Sequence, residues 1–113
     1  MSEHFAFDDR LGMKVPKLMH EWSEYTVSER ERILEDWETL RGGIPALITR
    51  FEYEINDRHE RLQAVDDWNE SVELLAEIND YASRINDLNI LFRTQPDVEL
   101  ASDDAQEHQD RDK

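Results

Sequence analysis

Four histidines are the side chains best suited to metal or acid–base chemistry, and their spacing indicates no metal site. They are His4, His20, His59 and His108. A carboxylate-bridged di-iron bundle needs a glutamate three residues before a histidine on two helices. The residue at that interval is Lys17 before His20 and Asn56 before His59. His20 and Glu24 are four residues apart and could share a helix face, but two ligands do not complete a metal site. No metal or other cofactor is expected.

Nucleophilic, phosphate-binding and carboxylate chemistry also lack their usual patterns. The chain contains no cysteine, and no serine lies in a G-x-S-x-G turn. Gly42-Gly43 is not followed by the Lys-Ser/Thr of a phosphate-binding loop, and these glycines are instead typical of a helix end in the left-handed conformation. No carboxylate pair stands out among apolar residues that would raise its pKa. We therefore expect that the protein is not an enzyme.

The charge of the chain restricts its partners. It carries 28 acidic and 13 basic residues and a formal net charge of −15, so nucleic acid and anionic membranes repel it. No basic stripe offsets this, because Arg50, Arg58 and Arg61 are interspersed with acids. The longest apolar run, residues 44–48, is far shorter than the roughly 20 residues that cross a bilayer. The first ten residues have no secretory signal pattern. We expect a cytoplasmic protein that binds neither nucleic acid nor membrane directly.

Hydrophobic spacing predicts helices from Val15 onward. Residues 1–14 have no clear period and are expected to form an irregular arm, and a short helix is expected to start at Val15. A better helix starts at Thr26 or Ser28, each of which has a glutamate three residues later, as in a capping box. This helix is expected to end at Gly42-Gly43. No run of alternating β-branched residues predicts a strand.

Two longer helices follow, at about residues 45–65 and 67–94. The first has an apolar seam that is interrupted where Arg58 takes a seam position. The second has an unbroken heptad seam, whose members are Leu74, Ile78, Tyr81, Ile85, Leu88 and Phe92. The predicted fold is all-α: a long antiparallel helical hairpin with one or two shorter N-terminal helices packed on it, as a three- to four-helix bundle. Residues 1–95 are expected to form one helical domain, and residues 96–113 a disordered acidic tail.

Two features of the last helix have more than one interpretation. Ile-Asn-Asp occurs at residues 55–57, 78–80 and 85–87. The asparagines form either a polar recognition surface, which Asn89 continues, or solvated positions beside a packed seam. Residues 66–80 contain six acids and no base. Of these, Glu70, Glu73 and Glu77 share one face and repel each other. Three explanations are open for why these acids are tolerated together: a basic partner, mimicry of DNA phosphates, or a surface adapted to high salt or high pH.

The end of the last helix is a candidate contact surface. Its apolar residues point to more than one side of the helix, which indicates that this end is covered all round. They are Leu88, Ile90, Leu91 and Phe92. The cover is either the N-terminal arm or a second molecule, and we expect a homodimer.

The leading hypothesis is therefore a small acidic helical protein-interaction module, an adaptor or regulator without enzymatic activity. The alternative is an acidic nucleic-acid mimic that inhibits a DNA- or RNA-binding protein.

Overall fold

The computed structural model describes residues 4–95, and the tail predicted at residues 96–113 lies outside them. Two short strands, β1 and β2, precede a single 3-10 turn and three α-helices, α1, α2 and α3. Their bounds are Phe5–Asp8, Met13–Pro16, Trp22–Glu24, Val27–Arg41, Ile44–Ala64 and Trp68–Phe92. The described chain is mostly helical, as predicted. It divides into two compact units, which we call the N-terminal unit (residues 4–42 with 93–95) and the hairpin unit (residues 43–92).

The N-terminal arm is not irregular but contains a β-hairpin, so the expectation of no strands was wrong. β1 pairs antiparallel with β2 in a register that places Phe5 opposite Pro16. The loop between them closes through Gly12, whose N–H donates to the Asp8 carbonyl at 2.7 Å. Gly12 has a φ of 78°, which glycine adopts without the steric cost of a side chain. Phe5, Leu11 and Met13 are buried, so this hairpin contributes to a core.

The short helix predicted from Val15 is also absent. Val15 and Pro16 lie in β2, and the Lys17 N–H donates to the His4 carbonyl at 2.8 Å. The pairing of β1 with β2 and this hydrogen bond hold the segment in an extended conformation, although the spacing of its apolar side chains favoured a helix. The following segment is fixed by Tyr25, a buried residue whose hydroxyl accepts hydrogen bonds from the N–H groups of Met19 and His20, each at 3.2 Å.

Helix α1 begins with a capping box at Thr26. The sequence had suggested two capping positions, Thr26 and Ser28. The Thr26 hydroxyl accepts from the Glu29 N–H at 3.0 Å, and the Glu29 carboxylate accepts from the Thr26 N–H at 2.8 Å. Farther along α1, Ile33 and Trp37 are buried. The Trp37 indole N–H donates to the Thr94 carbonyl at 3.0 Å, so the N-terminal unit includes the chain that follows α3.

The capping box predicts a pH-dependent contribution to stability. The hydrogen bond from the Thr26 N–H to the carboxylate is the main cause that lowers the pKa of Glu29. A carboxyl whose folded pKa is lowered stabilises the fold above its unfolded pKa, and this stabilisation is lost as the pH falls through the folded value. Glu29→Ala should therefore be destabilised in urea melts at pH 7, and the difference from wild type should shrink toward pH 3. Glu31→Ala, the control on the same helix, should have a smaller effect at pH 7.

The junction between α1 and α2 differs from the expected left-handed glycine cap. Gly42 has φ −62° and Gly43 has φ −87°, so both are right-handed. The Gly42 N–H donates to the Glu38 carbonyl at 3.1 Å, which continues the α1 hydrogen bonding, and Pro45 occupies the first turn of α2. The helices are thus separated by two residues in nearly helical conformation, where no left-handed residue is needed.

This conformation predicts that an alanine at position 42 stabilises the protein. A Cβ built on Gly42 would lie 3.5 Å from the Thr39 carbonyl oxygen, an ordinary van der Waals distance. Because alanine restricts the unfolded chain more than glycine does, Gly42→Ala should raise the free energy of unfolding by about 0.4–1 kcal/mol. Gly12→Ala is the matched control and should destabilise, since position 12 has a positive φ. Thermal melts of both variants check the two signs.

Helices α2 and α3 pack against each other in opposite directions and are joined by residues 65–67. Asp67 caps α3: its carboxylate accepts from the Glu70 N–H at 2.9 Å. Phe51 of α2 lies against Tyr81 of α3, with ring centroids 5.5 Å apart. The heptad residues Leu74, Ile78 and Leu88 are buried. The assembly of all helices into a three- to four-helix bundle and a single domain over residues 1–95 stay predictions.

Candidate interaction site

An apolar cleft lies at the end of the hairpin unit that is distant from the 65–67 connection. It has a volume of about 270 Å³ and is lined by Pro45 and Ile48 from the start of α2 and by Asn89 and Phe92 from the end of α3. Pro45 is there because its ring fits the first turn of a helix, where no N–H is needed. The cleft therefore presents three apolar side chains and one amide that can donate and accept hydrogen bonds.

The predicted apolar contact residues occupy different environments. Phe92 lines the cleft and is 41% exposed. Ile90 is exposed as well, and Leu91 is half-buried. Leu88, in contrast, is fully buried, so a partner cannot reach its side chain and it belongs to the core. Sequence reasoning placed Pro45 at a helix start and did not assign it or Ile48 to a contact site. It named Asn89 only as a continuation of the asparagines that form either a polar recognition surface or solvated positions.

The predicted acidic residues lie on α3, and one of them has a basic partner on α2. Glu70, Glu73 and Glu77 are all exposed. The Glu77 carboxylate accepts from Arg58 Nε at 2.7 Å, and Arg58 Nη1 donates to Glu54 at 2.6 Å. Arg58 thus bridges one carboxylate on each helix. The expected repulsion along the acidic face is partly relieved, because the interruption that Arg58 makes in the α2 seam brings a cation to Glu77.

Arginine and aromatic side chains form a cluster beside these acids. The Arg58 guanidinium lies 4.9 Å from the centre of the Tyr81 ring, and Arg84 lies 5.1 Å from the same ring and 5.7 Å from Phe51. Arg84 also pairs with Asp80 at 2.6 Å. The hydrogen bonds that Arg58 donates to Glu54 and then to Glu77 raise the pKa of its guanidinium above the ordinary value, so this cation stays charged. The cluster connects α2 to α3, and within it Arg84 Nε is buried without a hydrogen-bond partner.

His4 and His20 line a groove in the N-terminal unit, together with Tyr25. His4 is buried and packs edge-on against Tyr25, with ring centroids 5.4 Å apart. His20 Nδ1 lies 3.3 Å from Glu24 Oε1, so the pair suggested by the sequence does come together. Within residues 4–95, however, no three histidine or acidic side chains are grouped so that they could hold a metal ion. The groove supplies no further ligand to the His20–Glu24 pair.

Comparisons with models of protein families, with curated proteins and with solved structures found no match to this chain. Within the part of the chain that the structure describes, no helix has both the length and the apolar character needed to cross a membrane.

Proposed function

We propose that the protein is a helical protein-interaction module whose cleft receives an apolar side chain of a partner protein. The cleft at Pro45, Ile48, Asn89 and Phe92 is the observation that carries the proposal. It combines an exposed aromatic ring with an apolar wall, and aromatic side chains that fill or line pockets are typical of the residues that dominate protein interfaces.

The lining of the cleft favours an apolar side chain over a polar metabolite. Its lining contains a single polar side chain, Asn89. One amide can orient a partner's backbone by hydrogen bonding, whereas the specific recognition of a polar metabolite needs several convergent polar groups. A leucine, isoleucine or phenylalanine of a partner is the expected occupant.

The charge of the chain supports a partner with basic residues around that apolar anchor. The net charge is −15, and the field of the whole chain attracts a basic partner before contact. Glu70 and Glu73 lie about 30 Å along α3 from Phe92, outside the rim of the cleft. Opposite charges on two partners accelerate association and exclude acidic competitors. The adaptor or regulator role is therefore tied to a basic partner surface with one protruding apolar side chain.

The same charges support the nucleic-acid mimic less well. Glu54, Glu77 and Asp80 are held by Arg58 or Arg84, so these three carboxylates are partly neutralised within the protein itself. A phosphate mimic depends on carboxylates that stay available to a basic groove. Nucleic-acid mimicry is therefore the second candidate function, and affinity capture distinguishes it from binding at the cleft.

Quantitative affinity capture with matched variants tests the proposal. Wild type, Phe92→Glu and Tyr53→Glu are used as baits in extracts of cells that make the protein, and captured proteins are compared by mass spectrometry. Tyr53 is a suitable control because it is an exposed aromatic residue of α2 that does not line the cleft. We expect a partner that Tyr53→Glu retains and Phe92→Glu loses by at least tenfold.

Two results would contradict the proposal. Capture that is equal for the three baits would show that the cleft binds no partner. A fourth bait, the double variant Glu70→Gln/Glu73→Gln, tests mimicry: if it loses a DNA- or RNA-binding protein that Phe92→Glu retains, the protein is a nucleic-acid mimic instead.

A further inference from the structure

Helix α3 carries a second stripe with heptad spacing, on a face that does not pack against α2. Its residues follow each other at alternating intervals of four and three: Trp68, Val72, Leu75, Asn79, Ala82 and Asn86. All six are exposed, including Trp68 at 77% and Leu75 at 47%. At 3.6 residues per turn, this stripe lies about 100° around the helix from the seam of Leu74, Ile78 and Ile85. We call it the outer stripe.

The outer stripe contains no charged residue, although 36% of the chain is charged. The exposed acids of α3, among them Glu73 and Glu77, lie on the remaining face. Uncharged residues at intervals of four and three are the pattern of a helix that contacts a second helix. Within α3, the same pattern at Leu74, Ile78 and Tyr81 makes the contact with α2.

We infer that the outer stripe is a self-association surface, on which α3 of one molecule pairs antiparallel with α3 of a second copy around a twofold axis near Asn79. The stripe is self-complementary about that position. Val72 and Asn86 are each seven residues from Asn79, so they face one another across the axis. Leu75 lies four residues before Asn79 and Ala82 three residues after it, so a large side chain meets a small one. Trp68 comes opposite Ile90, which is also exposed.

The asparagines determine the register of this pair. Asn79 of each copy lies at the axis, where the two amides can donate to and accept from each other. A single asparagine at a core position of a coiled coil specifies register at some cost in stability. The Ile-Asn-Asp repeat therefore has a physical explanation: Ile78 and Ile85 belong to the seam with α2, and Asn79 and Asn86 to the outer stripe.

Charge favours the antiparallel over the parallel arrangement. Residues 68–79 of α3 carry three acids and no base, whereas residues 80–92 carry two acids and one base. A parallel pair would place the half with charge −3 beside its own copy. The antiparallel pair places it beside the half with charge −1. The remaining repulsion between two copies is screened beyond about 8–10 Å at ordinary salt, so association should strengthen as salt increases.

This inference does not rest on the proposed function of the cleft. Phe92 lies beside Pro45 and Ile48 of α2 in the cleft and is not a residue of the outer stripe. The dimer expected from the sequence, with contacts centred on Leu88 and Phe92, is thus replaced by one centred on Asn79.

Sedimentation equilibrium of the full chain at micromolar concentration tests the association. We expect a dimer whose dissociation constant rises at least tenfold in Leu75→Glu, with unchanged helix content by circular dichroism. Tyr53→Glu and Phe92→Glu should leave the constant unchanged. A monomer mass for wild type at the highest concentration would overturn the inference, and so would a dimer that Leu75→Glu does not weaken.

Single cysteines test the orientation, since the chain has none of its own. In the antiparallel pair, the two copies of residue 72 are about 21 Å apart along the helix axis, far beyond the roughly 7 Å between Cα atoms that a disulfide can bridge. Under mild oxidation Asn79→Cys should cross-link with itself, and Val72→Cys should cross-link with Asn86→Cys but not with itself. Efficient self-cross-linking of Val72→Cys would overturn the antiparallel arrangement.

Discussion

Trp37→Ala is expected to lower the free energy of unfolding by about 3–5 kcal/mol. The indole is buried in the N-terminal unit, and truncation would leave a cavity there and remove the hydrogen bond from the indole N–H to the Thr94 carbonyl. Because domains are stable by only about 5–15 kcal/mol, the variant should be largely unfolded or should melt at a much lower urea concentration. Urea titration followed by far-ultraviolet circular dichroism measures the change.

Trp37→Phe separates the cavity from the hydrogen bond. Phenylalanine keeps an aromatic ring in the site but cannot donate to the Thr94 carbonyl, a hydrogen bond worth about 0.5–1.5 kcal/mol. We expect less than half of the alanine effect. An unchanged urea midpoint for Trp37→Ala would show that α1 does not depend on the burial of this side chain.

Leu88→Ala should have the second largest effect, a loss of about 2–5 kcal/mol. Leu88 is fully buried in the hairpin unit, although its place in an apolar cluster near the end of α3 suggested a contact residue. Truncation removes buried methyl groups and leaves a cavity that neighbouring side chains fill incompletely. The free energy of unfolding from urea titration measures the loss.

Ile90→Ala provides the comparison, because Ile90 is two residues away in the same helix but exposed. At a concentration where the protein is monomeric, its loss of unfolding free energy should stay within about 0.5 kcal/mol, as is usual for surface substitutions. If the two variants were equally stable, the assignment of Leu88 to the core and Ile90 to the surface would be wrong.

Local signals in the sequence were sufficient for much of the helical structure. The capping residues Thr26 and Asp67 make the hydrogen bonds that their side chains favour, and the heptad spacing of α3 correctly indicated buried Leu74 and Ile78. Both signals act within one or two turns of a helix. The predicted bounds of α1, α2 and α3 were therefore within about two residues of those observed.

The N-terminal unit shows where such signals fail. The strands at residues 5–8 and 13–16 depend on pairing with each other, and on a turn whose only strong marker is Gly12. The spacing of Val15, Leu18 and Met19 resembles a helix face, but hydrogen bonding between strands determines the backbone there. Short apolar runs are ambiguous between helix and strand unless their long-range partners are known.

The cleft was predictable only in part for a similar reason. Phe92 was identified from the apolar residues at the end of α3. Pro45 and Ile48 join it because α2 and α3 are antiparallel, which places the start of one helix beside the end of the other. Which of Leu88 and Phe92 is accessible depends on the packing of the two helices, and the spacing of apolar residues does not determine that.

Site-specific photo-cross-linking in cells tests most directly whether the cleft binds a partner protein. A photoreactive phenylalanine analogue is placed at Phe92 in one variant and at Tyr53, which is 69% exposed on α2, in the control. Irradiation should join the protein to a specific partner from position 92, with at least tenfold less of the same adduct from position 53. Equal labelling from both positions, or no adduct at position 92, would contradict the proposal that the cleft is a protein-binding site.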